Sequence, residues 1–121
     1  MKILIVDDSK PIFMMVSQML KELGHDPIWA EEGQKAIQVL SEHPDVSLIL
    51  LDWNMPVMNG LEFLQLNKED KFFDHPIVMM TTENSPEKIQ AALECGAADY
   101  IMKPFTSDIL QSKIEMVIDM M

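Results

Sequence analysis

One cysteine, Cys95, stands in 121 residues, so no disulfide framework exists, and a reducing compartment, the cytoplasm, is the natural setting. Cys95 itself reads as a small buried hydrophobe. Glycine is almost as scarce. Gly24, Gly33, Gly60 and Gly96 are the only four, and each is placed to punctuate a helix end. Neither a G-x-x-x-x-G-K loop nor a G-x-G-x-x-G turn occurs, which disfavours nucleotide binding of the usual kinds. His25, His43 and His75 are scattered along the chain and make no zinc cluster. Basic residues are few, 9 against 20 acidic, for a net charge of −11. That excludes the basic face nucleic acid requires and fits partners with basic surfaces, or a site that collects cations. For most of these carboxylates the plain reading is solubility. No stretch approaches the ~20 apolar residues of a membrane span, so no membrane insertion is expected. The greasy opening of "MKILIVDDSKP" is too short for a secretory leader and runs at once into two aspartates.

What is present is a regular alternation. The chain has the length of one domain, residues 1–121, and a hydrophobic content of 48%, enough to bury roughly two-thirds of the surface of the unfolded chain. "KILIV" (2–6), "VSLILL" (46–51) and "PIVMMTT" (76–82) are nearly continuous apolar runs, the pattern of parallel strands covered on both faces. "DPIWA" (26–30) and "DYIMK" (99–103) are shorter and more polar. Pro27 cannot donate to a ladder, which assigns its strand to an edge. Helical spacing fills the gaps. Ile12, Val16, Met19, Leu20 and Leu23 share one face of a helix over 12–23 that Gly24 stops. Ala36, Val39 and Leu40 mark a second over 34–42, and Gly60 opens a third with Leu61 and Leu64, with Phe72 or Phe73 beyond its end. Ser85 as N-cap, Pro86 at the first position and Gly96 at the close frame a fourth. A fifth over 107–121 is expected to bury Ile109, Leu110, Ile114, Val117, Ile118 and Met121. Strand and helix in turn, five times, predict a doubly wound α/β fold. Most of the twelve methionines read as core filler, with Met55 and Met58 as the exposed ones.

In such a sheet, ligands bind beyond the carboxyl ends of the strands. The residues there are Asp7 and Asp8, Asp52, Thr81 and Thr82, and Lys103 before Pro104. Each alone has an ordinary explanation: a helix cap, a turn, a strand end, a solvated lysine. Together they make one rim of three carboxylates, two hydroxyls and an amine. Carboxylates so grouped repel one another unless a positive charge is near. A hard divalent cation such as Mg²⁺, with oxygen ligands, meets that demand. A cation, an ammonium, a hydroxyl and a carboxylate suit phosphoryl transfer, in which aspartate serves as nucleophile.

The segments "ILIVDDS", "LILLDWNMPVMNG", "PIVMMTT" and "DYIMKPF", with their spacing, resemble the receiver domains of two-component response regulators along the whole chain. The resemblance implies a flavodoxin-like fold: a doubly wound five-stranded parallel sheet of order 2-1-3-4-5 flanked by five helices. That strand order comes with the resemblance and not from the apolar pattern, and Pro27 on an edge strand agrees with it. The resemblance also implies roles. Asp52 is the phosphoacceptor for a sensor histidine kinase. Asp8, Asp52 and the carbonyl of Asn54 hold Mg²⁺, with Asp7 acting through water. Lys103 pairs with Asp52 and then with a phosphoryl oxygen, and Thr81 bonds another. Tyr100 is the switch aromatic that follows Thr81, and Lys103–Pro104 is a cis peptide. The output surface is the fourth helix, fifth strand and fifth helix.

Three positions tune this pattern. Thr82 is bulkier than the small residue usual beside Thr81. Asn54 and Glu83 stand where the family sets phosphoryl lifetime, and Glu83 either deters or orients a water. "DWNMP" resembles the chemotaxis type, implying a flagellar motor component or a phosphatase as downstream target, and a stand-alone signalling module rather than an enzyme. A phosphorelay intermediate and an unphosphorylated docking domain are the alternatives. A haloacid-dehalogenase-like phosphatase would want a second Asp where Asn54 stands, and more chain for a cap.

Overall fold

A computed structural model describes residues 1–82 and 85–119. Five strands and five helices alternate: β1 (Lys2–Val6), α1 (Lys10–Glu22), β2 (Asp26–Ala30), α2 (Gly33–Glu42), β3 (Val46–Asp52), α3 (Gly60–Asp70), β4 (Ile77–Thr81), α4 (Pro86–Glu94), β5 (Asp99–Met102) and α5 (Ser107–Asp119). The sheet is parallel throughout, in the order β2-β1-β3-β4-β5. The three apolar runs lie inside and the two poorer ones at the edges, Pro27 with them, as their composition requires.

Side chains alternate along each central strand, so each of the two cores takes every second residue. Leu4, Val6, Ile49, Leu51, Ile77 and Met79 pack against Ala36, Leu40, Phe63 and Leu64 of α2 and α3. Ile3, Ile5, Leu48, Leu50, Val78 and Met80 pack against Val16 and Leu20 of α1 and Leu110, Ile114 and Val117 of α5. Burial of this kind contributes about 25 cal/mol per Å² of apolar surface, and the covered strands are what hold the rim rigid.

Several expectations need correction. Ile109 is 48% exposed: the inward stripe of α5 is Leu110, Ile114 and Val117, and Ile109 points about 100° away from it. Met121 lies outside the described residues. Among the described methionines, core filling is shared: Met19, Met55 and Met58 pack partly against the two cores. Met79 and Met80 are fully buried, whereas Met1, Met14, Met15 and Met116 are exposed; the last three fall off the inward stripes of α1 and α5. Met55 and Met58, expected to be exposed, are partly buried against the core beneath the β3–α3 loop. Phe63, which helical periodicity does not single out, is fully buried and meets Phe72 edge-on at 5.3 Å. Cys95 is only half-buried, at the end of α4. Ser85 occupies the N-cap of α4 without a capping bond; its hydroxyl bonds the Glu87 carboxylate at 2.7 Å instead. Gly24 and Gly96 carry the positive φ angles, 87° and 110°, that helix termination uses.

Candidate functional site

β1, β3, β4 and β5 all end at one edge of the sheet, and the rim is built from those ends. β3 runs one residue further than its apolar run and includes Asp52, which pairs in register with Met80. The ladder therefore grips the Asp52 backbone while its carboxylate reaches the rim. Asp7 follows β1 directly, and its N–H still bonds the carbonyl of Ala30 on β2 at 3.1 Å. Lys103 follows β5, and its N–H bonds the Thr81 carbonyl at 2.8 Å. The Lys103–Pro104 peptide is cis.

Four of the anticipated residues meet. The Lys103 ammonium lies 2.7 Å from Asp52 Oδ1 and 3.2 Å from Asp7 Oδ2. Oxygen atoms of Asp7, Asp8 and Asp52 all lie within 4.8 Å of one another. Asp7 and Asp52 are 1% and 6% exposed, while Asp8 faces solvent, so the cluster is rigid below and open above. Asp7 Oδ1 also accepts the Ser9 N–H at 2.9 Å. Ser9 in turn caps α1, its hydroxyl accepting from the Ile12 N–H at 3.4 Å.

Burial pushes the Asp52 carboxyl above its ordinary range; Lys103 pulls it back, and the charges of Asp7 and Asp8 push it further up. Burial acts to lower the Lys103 ammonium, but the Asp52 hydrogen bond and the charges of Asp52 and Asp7 outweigh it, and the net shift is upward. Three carboxylates share one ammonium here, so the cluster has an excess of negative charge in a poorly solvated place. Its donors are all oxygen. Both features fit a hard divalent cation, and among the described residues Asp7, Asp8 and Asp52 form a group that could hold one.

Thr81 is buried at the end of β4, and Thr82 beyond it is exposed. In the alternation of β4, Thr81 follows Met79, whose partner in the ladder is Tyr100. Thr81 and Tyr100 thus share the sheet face opposite the one on which Asp7 and Asp52 continue the rows of Ile5 and Leu50. Tyr100 is half-buried against the core, with the Lys113 ammonium 5.0 Å above its ring and held by Asp99 at 3.1 Å. Asn54 is exposed in the loop after β3. Glu83 lies outside the described residues.

Two contributors are invisible to a reading of the sequence. Gly60, which reads there as helix punctuation, starts α3 so close to β3 that a Cβ would meet the Asp52 carbonyl oxygen at 2.6 Å. Trp29 on β2 donates its indole N–H to the Asp7 carbonyl at 2.8 Å. Nothing local in the sequence marks either contact.

The family described as "Response regulator receiver domain" matches residues 3–115. A chemotaxis protein CheY homolog of Campylobacter jejuni is 42% identical over 120 residues, covering 98% of this chain and 92% of that protein. Chemotaxis protein CheY1 of Helicobacter pylori is 39% identical over 120 residues, covering 98% and 97%. The solved structure of Vibrio cholerae chemotaxis protein CheY4 superposes with a TM-score of 0.87 at 37% identity, over 96% of this chain and 97% of that one.

Proposed function

The chain belongs to the response regulator receiver domain family and is a phosphoacceptor signalling module; from that premise we propose that residues 1–121 form one receiver domain of chemotaxis type, phosphorylated on Asp52. The observation that supports this most is the Lys103 ammonium set between Asp52 and Asp7, at 2.7 and 3.2 Å, beside a third carboxylate.

In this reading a sensor histidine kinase presents a phosphohistidine to the open side of the rim. An Asp52 oxygen attacks phosphorus, the new O–P bond forms as the P–N bond breaks, and the bonding pair stays with the imidazole, which takes up a proton. Lys103 moves from the Asp52 carboxylate to a phosphoryl oxygen, and the Thr81 hydroxyl donates to another. Asp8, Asp52 and the Asn54 carbonyl would hold Mg²⁺, with Asp7 acting through water, and the bound ion would neutralise phosphoryl charge. Such a reaction is largely positioning and charge neutralisation, and the ladder around Asp52 provides the positioning. The chain catalyses only its own phosphorylation and dephosphorylation, with Asn54 and Glu83 setting the lifetime.

The added charge of about −1.5 to −2 recruits new charge-assisted hydrogen bonds. Thr81 moving toward the phosphoryl group vacates space on the face it shares with Tyr100, and the tyrosine ring follows. The surface of α4, β5 and α5 then binds a downstream protein, a flagellar motor component or a phosphatase, better in one packing than in the other. A cytoplasmic site of action fits, and among the described residues no helix is long and apolar enough to cross a membrane.

The test is intact mass after incubation with acetyl phosphate, with and without Mg²⁺, for the wild type and Asp52→Asn. One phosphoryl adduct that requires both Mg²⁺ and Asp52 is the expected result. An adduct that persists in Asp52→Asn, or none in the wild type, overturns the reading.

A further inference from the structure

Trp29 stands on the edge strand β2, opposite Ile5 in the ladder. Its indole stacks on Phe13 of α1, with ring centroids 4.8 Å apart and planes 11° from parallel. From there its Nε1–H donates to the backbone carbonyl of Asp7 at 2.8 Å. The last rung between β1 and β2 is Val6 with Ala30; the Asp7 N–H still reaches Ala30, and β2 stops there. The indole supplies the donor that a longer β2 would have supplied.

That carbonyl belongs to the peptide joining Asp7 to Asp8. The Asp7 side chain is already held, by Lys103 at 3.2 Å and the Ser9 N–H at 2.9 Å. Asp8 has no comparable burial: it is exposed, and its oxygen still lies within 4.8 Å of the other two carboxylates. The backbone that carries it is restrained on both sides, by the indole donor at the Asp7 carbonyl and by the Ser9 N–H bond to the Asp7 carboxylate. We infer that Trp29 is a positioning residue for the cation site, holding the Asp7–Asp8 peptide so that the Asp8 carboxylate faces Asp7 and Asp52.

This rests on the cation reading given above. A tryptophan N–H in a half-buried place needs a partner in any case, and a purely structural role predicts a loss of stability without a change in cation affinity. Trp29→Phe separates the two, since it keeps an aromatic ring against Phe13 while removing the donor, and the loss of ring area bears on stability. Isothermal titration of the full chain with MgCl₂, without phosphodonor, is expected to show a dissociation constant about tenfold weaker than wild type, the lower end of what outer partners of metal ligands contribute. At saturating Mg²⁺ the rate of phosphorylation by acetyl phosphate returns to within twofold of wild type. A dissociation constant within twofold of wild type overturns the inference, whatever happens to Tm. Asp8→Asn is titrated alongside. If it weakens Mg²⁺ and Trp29→Phe does not, only the role of Trp29 falls. If the wild type binds no Mg²⁺, the cation reading falls and this inference with it.

Discussion

Replacing Gly60 by alanine sets two effects of opposite sign against each other. Gly60 opens α3 with a backbone conformation that any L-residue can adopt, since of the four glycines only Gly24 and Gly96 have positive φ. On local grounds alanine should therefore stabilise, by about 0.4–1 kcal/mol through the unfolded chain. The tertiary structure reverses this. The new Cβ would meet the Asp52 carbonyl oxygen at 2.6 Å, Met79 Cε at 2.8 Å and Trp53 Cα at 3.1 Å. The Met79 methyl can swing aside, but the other two atoms are backbone. The Gly60 N–H also bonds the Trp53 carbonyl at 2.8 Å, which ties the helix start to the segment it would strike. Relief requires α3 to move off β3, and overpacking of this sort costs about 1–3 kcal/mol. Because two of the three atoms struck are backbone, the cost lies in the upper part of that range, about 2–3 kcal/mol, and less the local gain the net loss is about 1–2 kcal/mol. For a chain of this size 1 kcal/mol corresponds to about 4 °C, so Tm should fall by about 4–8 °C. Gly33→Ala is the control. It also opens a helix, but its nearest neighbour is the Met58 sulfur at 2.8 Å, the far end of a flexible side chain, followed by Phe63 Cδ2 at 3.3 Å. Its Tm should stay within about 2 °C of wild type, because a flexible neighbour shifts cheaply and the local gain offsets the cost. Thermal unfolding followed by circular dichroism at neutral pH without Mg²⁺ measures both. A Gly60→Ala variant that melts at or above wild type, or no lower than Gly33→Ala, would mean that α3 does not have to leave β3 to admit a methyl group.

Three further outcomes follow from the same rim. Asp52→Asn should raise the Tm of the metal-free protein at neutral pH. The Asp52 carboxyl is raised on folding, mainly by burial, so its contribution is full below the unfolded value near 3.8 and is lost as pH rises through the folded one; urea midpoints at about pH 4 and pH 7 should therefore differ less in the variant than in wild type. Lys103→Ala should accept a phosphoryl group yet lose most of the phosphorylation-dependent gain in partner affinity, and an unaltered gain in a pull-down or titration would remove the lysine from the response. Tyr100→Ala should leave the acetyl phosphate reaction within about twofold, each tenfold in rate being worth about 1.36 kcal/mol of barrier, and should weaken partner binding; a variant that binds its partner normally takes Tyr100 out of the switch.

The alternation of strands and helices, and which strands lie inside, were legible along the chain. A strand covered on both faces must be apolar throughout, and Pro27 has no place in a central ladder. From the strand ends it followed that Asp7, Asp8, Asp52 and Lys103 face one rim, because in a parallel sheet every carboxyl end points the same way. Side-chain destinations on the helices were less legible. Ile109, Met14 and Met116 are apolar, but the stripe that faces inward depends on how each helix sits against the sheet, which apolarity alone does not encode.

The order of elements and the chemistry gathered at one edge are encoded locally, since both follow from patterning repeated along the chain. The contacts that give that chemistry its geometry arise only once the chain has folded. The Lys103 ammonium joins residues 51 and 96 positions away, Gly60 admits β3 against α3, and Trp29 crosses 22 positions to the Asp7 carbonyl. Each depends on strand register and helix placement together, and neither is written in any short stretch of residues.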